Sequence, residues 1–256
     1  MKLLTLARDL KRRRARERER LFVAEGVRAV EEVLSSPLRI RGVLAAPQLD
    51  DAPRGAILHE SLRQQSASRD FGLAEVNEHE FRSAAETESP QGVLAIVQVP
   101  ERSFSEFPSD PTVRLLVLDG VQDPGNVGTM LRTAAALGVT ATVALPGTVD
   151  LWNAKVVRSG MGAHFRHYAF HSTVEAFESY LTAQDVTLWA TDTNGTPIAE
   201  TLPPPARLAI AVGNEGAGVS PTLSNRAART VALPICTIES LNVAVATGIT
   251  LYVLRV

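Results

Sequence analysis

The sequence predicts an α/β protein of two domains, and three observations carry that expectation. Apolar runs of strand length alternate with helix-length periodic stretches along the chain. The segment PERSFSEFPSDP, residues 100–111, breaks the alternation with three prolines, three serines and three acidic residues, as a linker would. A chain of 256 residues with 45% hydrophobic and 21% charged side chains has enough apolar surface for two cores. The expected division is 1–100, a linker at 101–111, and 112–256.

In the first part, Leu21, Ala24, Val27, Val30, Val33 and Leu34 recur at helical spacing up to Pro37, and residues 57–65 form a second helix. Strands are expected at 40–45, 73–76 and 92–99, the last (GVLAIVQV) buried on both faces. In the second part, strands at 113–118, 141–145, 168–170, 186–191 and 208–212 alternate with helices at 127–137, 154–159 and 174–183. Such alternation implies a parallel sheet covered on both faces, with its ligand at the carboxyl ends of the strands.

Composition narrows the classes further. The formal charge of −2 hides a local excess, because residues 8–20 (RDLKRRRARERER) hold eight basic side chains against three acidic ones. This stretch reads as a solvated helix face with i,i+4 pairs or as a contact to nucleic-acid phosphates, with Arg12, Arg13 and Arg14 foremost. Arginine outnumbers lysine 23 to 3, which suits phosphate recognition but also follows from a GC-rich genome. One cysteine, Cys236, leaves no internal disulfide and no multi-cysteine metal site. His164, His167 and His171 are loosely spaced without an acidic partner motif and read as surface or core histidines, so no metal is expected. The N-terminus lacks the apolar centre of a secretory signal, and the run 243–254 is too short for a bilayer span, so a cytoplasmic protein without a membrane segment is expected.

The stretch DGVQDPGNVGTMLRTAAALG, residues 119–138, follows the first strand of the second part. It has the glycine interval of a P-loop, but Asn126 and Val127 stand where the lysine and hydroxyl residue are required. A dinucleotide fingerprint fails too, since its first glycine falls on Asp123. What remains is a Pro-Gly turn, Asn126 at the expected helix N-cap, and Arg132 alone in an apolar helix. Two later stretches are of the same kind. LAIAVGNEGAGVS, 208–220, is a strand entering a glycine-rich loop around Glu215, and LPICTIESLNVAVATG, 233–248, places Ser240 and Asn242 at the head of an apolar helix. Three loops at strand ends or helix starts imply one composite pocket.

These three stretches, in this order and at this spacing, resemble the SpoU/TrmH branch of the SPOUT superfamily, the S-adenosylmethionine-dependent RNA ribose 2′-O-methyltransferases. RERERLFVAEGVRAVEEVL and PQGVLAIVQVP resemble the helix and last strand of the ribosomal-protein-like RNA-binding domain that precedes many of these catalytic domains, so the likeness spans nearly the whole chain. The resemblance implies a deep trefoil knot in the C-terminal domain, a homodimer with the reaction centre near its interface, and S-adenosyl-L-methionine held in a bent shape by Gly213, Leu233 and Leu241. It places Arg132 at the catalytic position, with Asn126, Glu215, Ser240 and Asn242 shaping the pocket by hydrogen bonds. Lys155, Arg158 and Arg166, in NAKVVRSGMGAHFRH, resemble a flanking segment that touches RNA phosphates. One departure stands out: between Pro234 and Ser240 the connection ICTIE is about one residue shorter than usual and lacks the frequent glycine, which bears on cofactor affinity.

Methyl transfer to a ribose hydroxyl is an in-line displacement that needs alignment and loss of a proton. A guanidinium holds its proton too firmly to be a ready base, so Arg132 is expected to bind the target's phosphate and fix the hydroxyl. The proton then passes to that phosphate or to a transiently neutral arginine. Ribosomal RNA of the large subunit is favoured over tRNA because the extra N-terminal domain is typical of members acting there. The alternatives are a tRNA 2′-O-methyltransferase and, from other classes, a non-catalytic RNA-binding or ribosome-assembly protein or a nicotinamide-dependent oxidoreductase.

Overall fold

The computed structural model of the chain describes residues 2–107 and 111–255. Its first elements are α1 (Leu3–Asp9), α2 (Arg13–Glu19), β1 (Leu21–Glu25), α3 (Val27–Leu34), β2 (Ile40–Ala45), α4 (Pro53–Ser68), β3 (Gly72–Glu75), α5 (Glu78–Ala84) and β4 (Val93–Gln98). There follow β5 (Val113–Asp119), α6 (Pro124–Ala136), β6 (Ala141–Ala144), α7 (Ala154–Ser159), β7 (Ala169–His171) and α8 (Val174–Ala183). The last are β8 (Thr187–Pro197), β9 (Arg207–Gly213), α9 (Pro221–Arg226), β10 (Arg229–Ala232) and α10 (Val243–Val253). The chain forms two compact units, Met1–Glu101 with Trp152–Arg166, and Arg102–Leu151 with His167–Val256.

The first unit is a four-stranded mixed sheet in the order β1-β4-β2-β3, with only β2 and β3 parallel. Its core joins Leu6 and Leu10 of the N-terminal helix region to Leu44, Phe81, Leu94 and Ile96. The helix expected over 21–34 is a correction: Leu21–Glu25 is a strand, paired antiparallel with β4, and only Val27–Leu34 is helical. Leu21, Phe22, Val23 and Ala24 are all buried, so the strand shows no two-residue alternation to set it apart from a helix. Gly26, at φ 100°, makes the break between them in a backbone region closed to most side chains. Arg16, in the basic stretch, is buried and donates through Nη1 to the carbonyls of Leu10 (2.8 Å) and Lys11 (2.9 Å), closing the end of α1. Within the same unit, α7 packs against β1, where Phe22 meets Trp152 with ring centroids 4.5 Å apart.

The second unit is a six-stranded sheet in the order β10-β8-β9-β5-β6-β7, and every pair is parallel. Val113, Leu115 and Val117 point to one face, where Phe177 and Leu181 of α8 and Leu223 of α9 cover them. Leu116 and Leu118, on the opposite face, are equally buried. The parallel α/β class expected from the alternation is present; β10, only four residues long and begun by an arginine, and α9, one and a half turns, carry too little pattern to be seen beforehand. Part of the expected linker is packed on this unit. Phe104 sits against Phe170 and Tyr180 with centroids 4.9 and 4.3 Å away, and Phe107 against Tyr168, while Pro108, Ser109 and Asp110 lie outside the described residues. No helix among the described residues is long and apolar enough to cross a membrane.

His167 is buried in this unit, its Nε2 within 2.8 Å of the Thr142 hydroxyl. Burial, helped by the nearby Arg102 charge, lowers its pKa to about 4. Unfolded, the ring titrates at about 6.5, so its contribution to stability is complete above that pH and is lost as pH falls toward 4, by roughly 3 kcal/mol. Urea denaturation at about pH 7 and about pH 4.5 should therefore show a smaller acid loss in His167→Asn than in the unsubstituted protein; identical losses would show that His167 is not the group responsible.

Candidate active site

The carboxyl ends of β5, β9 and β10 each release a loop, and side chains tie the three together. After β5, the turn at Gln122–Asp123 enters α6. The helix is capped by Asp123, whose Oδ1 accepts from the Asn126 amide nitrogen at 2.8 Å, so Asn126 is not the cap that the sequence suggested. Asp123 and the following proline already satisfy the first turn, which leaves the Asn126 side chain free for other work. Its Nδ2 donates to Glu215 Oε1 at 3.1 Å, and its Oδ1 accepts from Asn242 Nδ2 at 3.0 Å. One amide thus bridges the second and third stretches from the head of the first.

Glu215 is held from the same side. Its carboxylate also accepts from the backbone N–H groups of Gln122 (3.3 Å) and Asp123 (3.2 Å). Burial acts to raise the Glu215 pKa, but the hydrogen bonds from Asn126 and from the backbone amides of Glu215, Asp123 and Gln122 outweigh it and hold the acid below its ordinary value. The carboxylate is therefore ionised at neutral pH. Asn242 caps α10, its Oδ1 accepting from Ala244 (2.9 Å) and Val245 (3.2 Å).

The loop between β9 and α9 folds back on itself. Asn214 and Gly218 bridge backbone to backbone, Asn214 Oδ1 accepts from Gly216 and Ala217, and Asn214 Nδ2 donates to the Gly120 carbonyl at 3.0 Å. Gly213 permits this, since a Cβ there would overlap the backbone of Gly218 and Val219. Asp119, buried at the end of β5, accepts from the Ser220 nitrogen at 2.7 Å. Asp119 and Asp123 are therefore engaged in holding loops, as is Asn214, whose role the sequence reading missed.

A cavity of about 650 Å³ opens beside this network. Gly213, Leu233 and Leu241, expected as cofactor contacts, line it together with Glu215, Ser240 and Asn242. Asn126 and Arg132 do not line it. Thr191, Asp192 and Thr193, in the middle of β8, complete its wall and were not foreseen. The mixture of apolar side chains and backbone groups in glycine-containing loops fits an adenosyl compound with an amino-acid tail, and the residues present are compatible with S-adenosylmethionine.

Arg132 lies on the exposed side of α6 and makes no ion pair or hydrogen bond among the described residues. The second turn of the helix thus presents an unneutralised guanidinium to solvent. In the first unit, Arg12 pairs with Asp9 (2.5 Å) and Arg13 with Glu17 (2.7 Å, i,i+4), while Arg14 is exposed. Lys155 and Arg158 are exposed on α7 of that unit, and Arg166 is paired with Glu32 at 2.5 Å. His164 and His167 are buried and His171 accepts from the Leu151 nitrogen, and no cluster of three metal-ligating side chains occurs among the described residues.

Fold and site together define a parallel α/β protein with a cavity at the carboxyl ends of its strands. Residues 114–252 match the SpoU rRNA Methylase family, and residues 5–95 match the MRM3-like substrate binding domain. The chain belongs to the SpoU rRNA Methylase family. It is 34% identical over 250 residues to the 23S rRNA (guanosine(2553)-2′-O)-methyltransferase RlmP of Bacillus subtilis, covering 97% of this chain and 94% of that one. An AdoMet-bound rRNA methyltransferase from Sinorhizobium meliloti superposes with a TM-score of 0.87 at 27% identity, over 99% of this chain and 94% of the other. A TrmH-family putative RNA methyltransferase from Porphyromonas gingivalis does so with a TM-score of 0.82 at 29% identity, over 98% and 96%.

The network predicts a difference between two substitutions at one position. Asn242→Ala removes both the cap of α10 and the donor to Asn126 and should cost at least about 1 kcal/mol of stability, whereas Asn242→Ser loses that donor but keeps a capping oxygen and should cost less. Urea denaturation of the two variants checks this, and equal losses would mean that the cap is unimportant.

Proposed function

We propose that this protein transfers a methyl group from S-adenosylmethionine to a ribose 2′-hydroxyl of large-subunit ribosomal RNA. The observation that carries the reading is the Asn126 bridge, which ties the first stretch to the second and third, the two that line the cavity. The likeness to an rRNA 2′-O-methyltransferase over 97% of the chain supports the substrate class.

When bound, S-adenosylmethionine supplies an electrophilic methyl on sulfur. Gly213, Leu233 and Leu241 hold it, with Ser240 at the same wall. Asn126, Glu215 and Asn242 fix the loops so that this geometry does not relax during the reaction. Arg132 binds the phosphate beside the target ribose through its planar fork and orients the hydroxyl. Its lack of an ion pair within the described chain favours that role. The hydroxyl oxygen forms its bond to carbon as the carbon–sulfur bond breaks, and the hydroxyl proton leaves to the neighbouring phosphate or to a transiently neutral Arg132. Arg12, Arg13, Arg14, Lys155 and Arg158 contact RNA phosphates; the exposed pairs on Arg12 and Arg13 are worth less than about 1 kcal/mol each and exchange readily.

The second unit is read as carrying a deep trefoil knot. In support, β8 lies between β9 and β10, so the chain must pass over β8 to continue from one to the other. The protein is read as a homodimer. Val245, Ile249 and Tyr252 form an i, i+4, i+7 stripe on α10 that is 53%, 43% and 54% exposed, an apolar face of the kind that subunit contacts cover.

Two outcomes test the mechanism and the assembly. Arg132→Ala should lower methyl transfer by roughly 10²- to 10⁴-fold while S-adenosylmethionine still binds, and Arg132→Lys should restore little because the fork is lost; full turnover in Arg132→Ala would make the arginine structural. Light scattering should give a dimer that Tyr252→Asp weakens, and a monomeric active protein would contradict the assembly.

A further inference from the structure

The cavity beside the Asn126 network lies wholly in the second unit, and α10 gives it one face: Val243, Ala246, Thr247 and Thr250, spaced i, i+3, i+4, i+7. The buried threonines of the described chain differ in one respect. Thr142 meets His167, and Thr148, Thr201 and Thr247 donate to the carbonyls of Leu118, Ile198 and Val243. Thr250, 2% exposed, makes no side-chain hydrogen bond among the described residues. A helical threonine commonly turns its hydroxyl to the carbonyl four residues back, as Thr129, Thr133 and Thr247 do here. That of Thr250 leaves the Ala246 carbonyl alone, and its oxygen is not closed off by the packing, so its open side is the cavity it lines. A buried hydroxyl short of a partner in a cavity wall is an incomplete polar site.

Charge reaches the wall from Asp192 on β8, from Glu215 after β9 and from Glu239 before α10, and α10 itself brings none. The cationic ammonium and sulfonium of an adenosyl amino acid are drawn to those carboxylates. What remains for the α10 face is the neutral base, a flat ring suited to Val243 and Ala246. Thr247 has spent its proton within the protein, which leaves the Thr250 hydroxyl as the polar group of that face. From Asn242, the cap tied to Asn126, the helix rises about 12 Å to Thr250 at 1.5 Å per residue, so Thr250 stands away from the bridged head. The edges of adenine alternate ring-nitrogen acceptors with the N6 amine, and a hydroxyl serves either.

We propose that Thr250 recognises the adenine of the cofactor, its hydroxyl hydrogen-bonding the base edge from the α10 face of the cavity. The proposal rests on the reading that this cavity holds S-adenosylmethionine, and adds to it a side-chain contact two turns beyond the loops that hold the rest of the ligand.

Calorimetric titration of the full chain with S-adenosylmethionine and with adenosine tests this. Both should bind roughly 3- to 10-fold more weakly to Thr250→Val, the loss of one net hydrogen bond, while Thr250→Ser stays within about twofold of the unsubstituted protein. Because the hydroxyl has no partner inside the described protein, the melting temperature of Thr250→Val should be unchanged or higher; a lower one with unchanged affinity would assign the hydroxyl to the fold and overturn the proposal. Adenosine forms lacking N1, N3, N7 or the N6 amine, one at a time, locate the contact, and one of them should bind the unsubstituted and Thr250→Val proteins equally. Equal losses with all four forms would put the hydroxyl on the ribose, and a loss with S-adenosylmethionine but none with adenosine would put it on the amino-acid tail; either overturns the proposal. An unsubstituted protein that binds neither compound removes the cofactor reading and the proposal together, whereas binding of both, undiminished by Thr250→Val, removes only the role of Thr250. Should valine disturb folding, Thr250→Ala is read by the same outcomes.

Discussion

The Asn126 side chain joins two groups that could not join each other so well without it. Glu215 is an acceptor-only carboxylate, and Asn242 has already spent its oxygen on capping α10 and has only N–H to offer. The Asn126 amide donates to the one through Nδ2 and accepts from the other through Oδ1. A carboxylate in its place would set charge against charge, and an apolar side chain would leave both partners unsatisfied. The bridge also depends on Asp123, because a helix capped by Asn126 itself would have turned that amide back onto the backbone.

This tie has an electrostatic consequence. The Glu215 carboxylate is occupied by Asn126 and by two backbone amides after β5, which keeps the acid ionised and takes up its acceptor capacity. Arg132 is correspondingly without a carboxylate partner among the described residues. A cation without an ion pair on the exposed side of a helix is suited to an anionic ligand such as an RNA phosphate. The same hydrogen bonds that occupy Glu215 thus leave the Arg132 guanidinium available for the phosphate proposed for it.

The parallel α/β class was legible because β5 and β9 are long apolar runs buried on both faces, followed by glycine-bearing turns. Their strand ends lie at the cavity, which Gly213, Leu233, Leu241, Ser240, Glu215 and Asn242 line. The N-cap of α6 was misplaced by three residues because Asp and Asn cap equally well, and only the bridge to Glu215 and Asn242 decides between them. Leu21–Glu25 was misread as helix because a fully buried strand has no alternation and only its pairing with β4 reveals it. Thr191, Asp192 and Thr193 were missed because β8 runs on to Pro197 through a polar stretch, TDTNGTP, which reads as a loop until β10 pairs with it. The packing of Phe104 and Phe107 was hidden by the prolines and serines around them.

The central claim is that the three loops bridged by Asn126 form the centre for ribose methylation of ribosomal RNA. Its most direct measurement is transfer of labelled methyl from S-adenosylmethionine to ribosomal RNA taken from a strain lacking this protein, with the product mapped by ribose-sensitive sequencing, for the unsubstituted chain and for Asn126→Leu. Leucine has the branched outline of asparagine, with bulkier methyl groups, but can neither donate nor accept. The account predicts label on a ribose 2′-oxygen of large-subunit RNA with the unsubstituted protein, and a rate at least about tenfold lower with a folded Asn126→Leu variant, as expected from loss of two bridging hydrogen bonds. Absence of ribose label with the unsubstituted protein, or an equal rate in the two proteins, would contradict it.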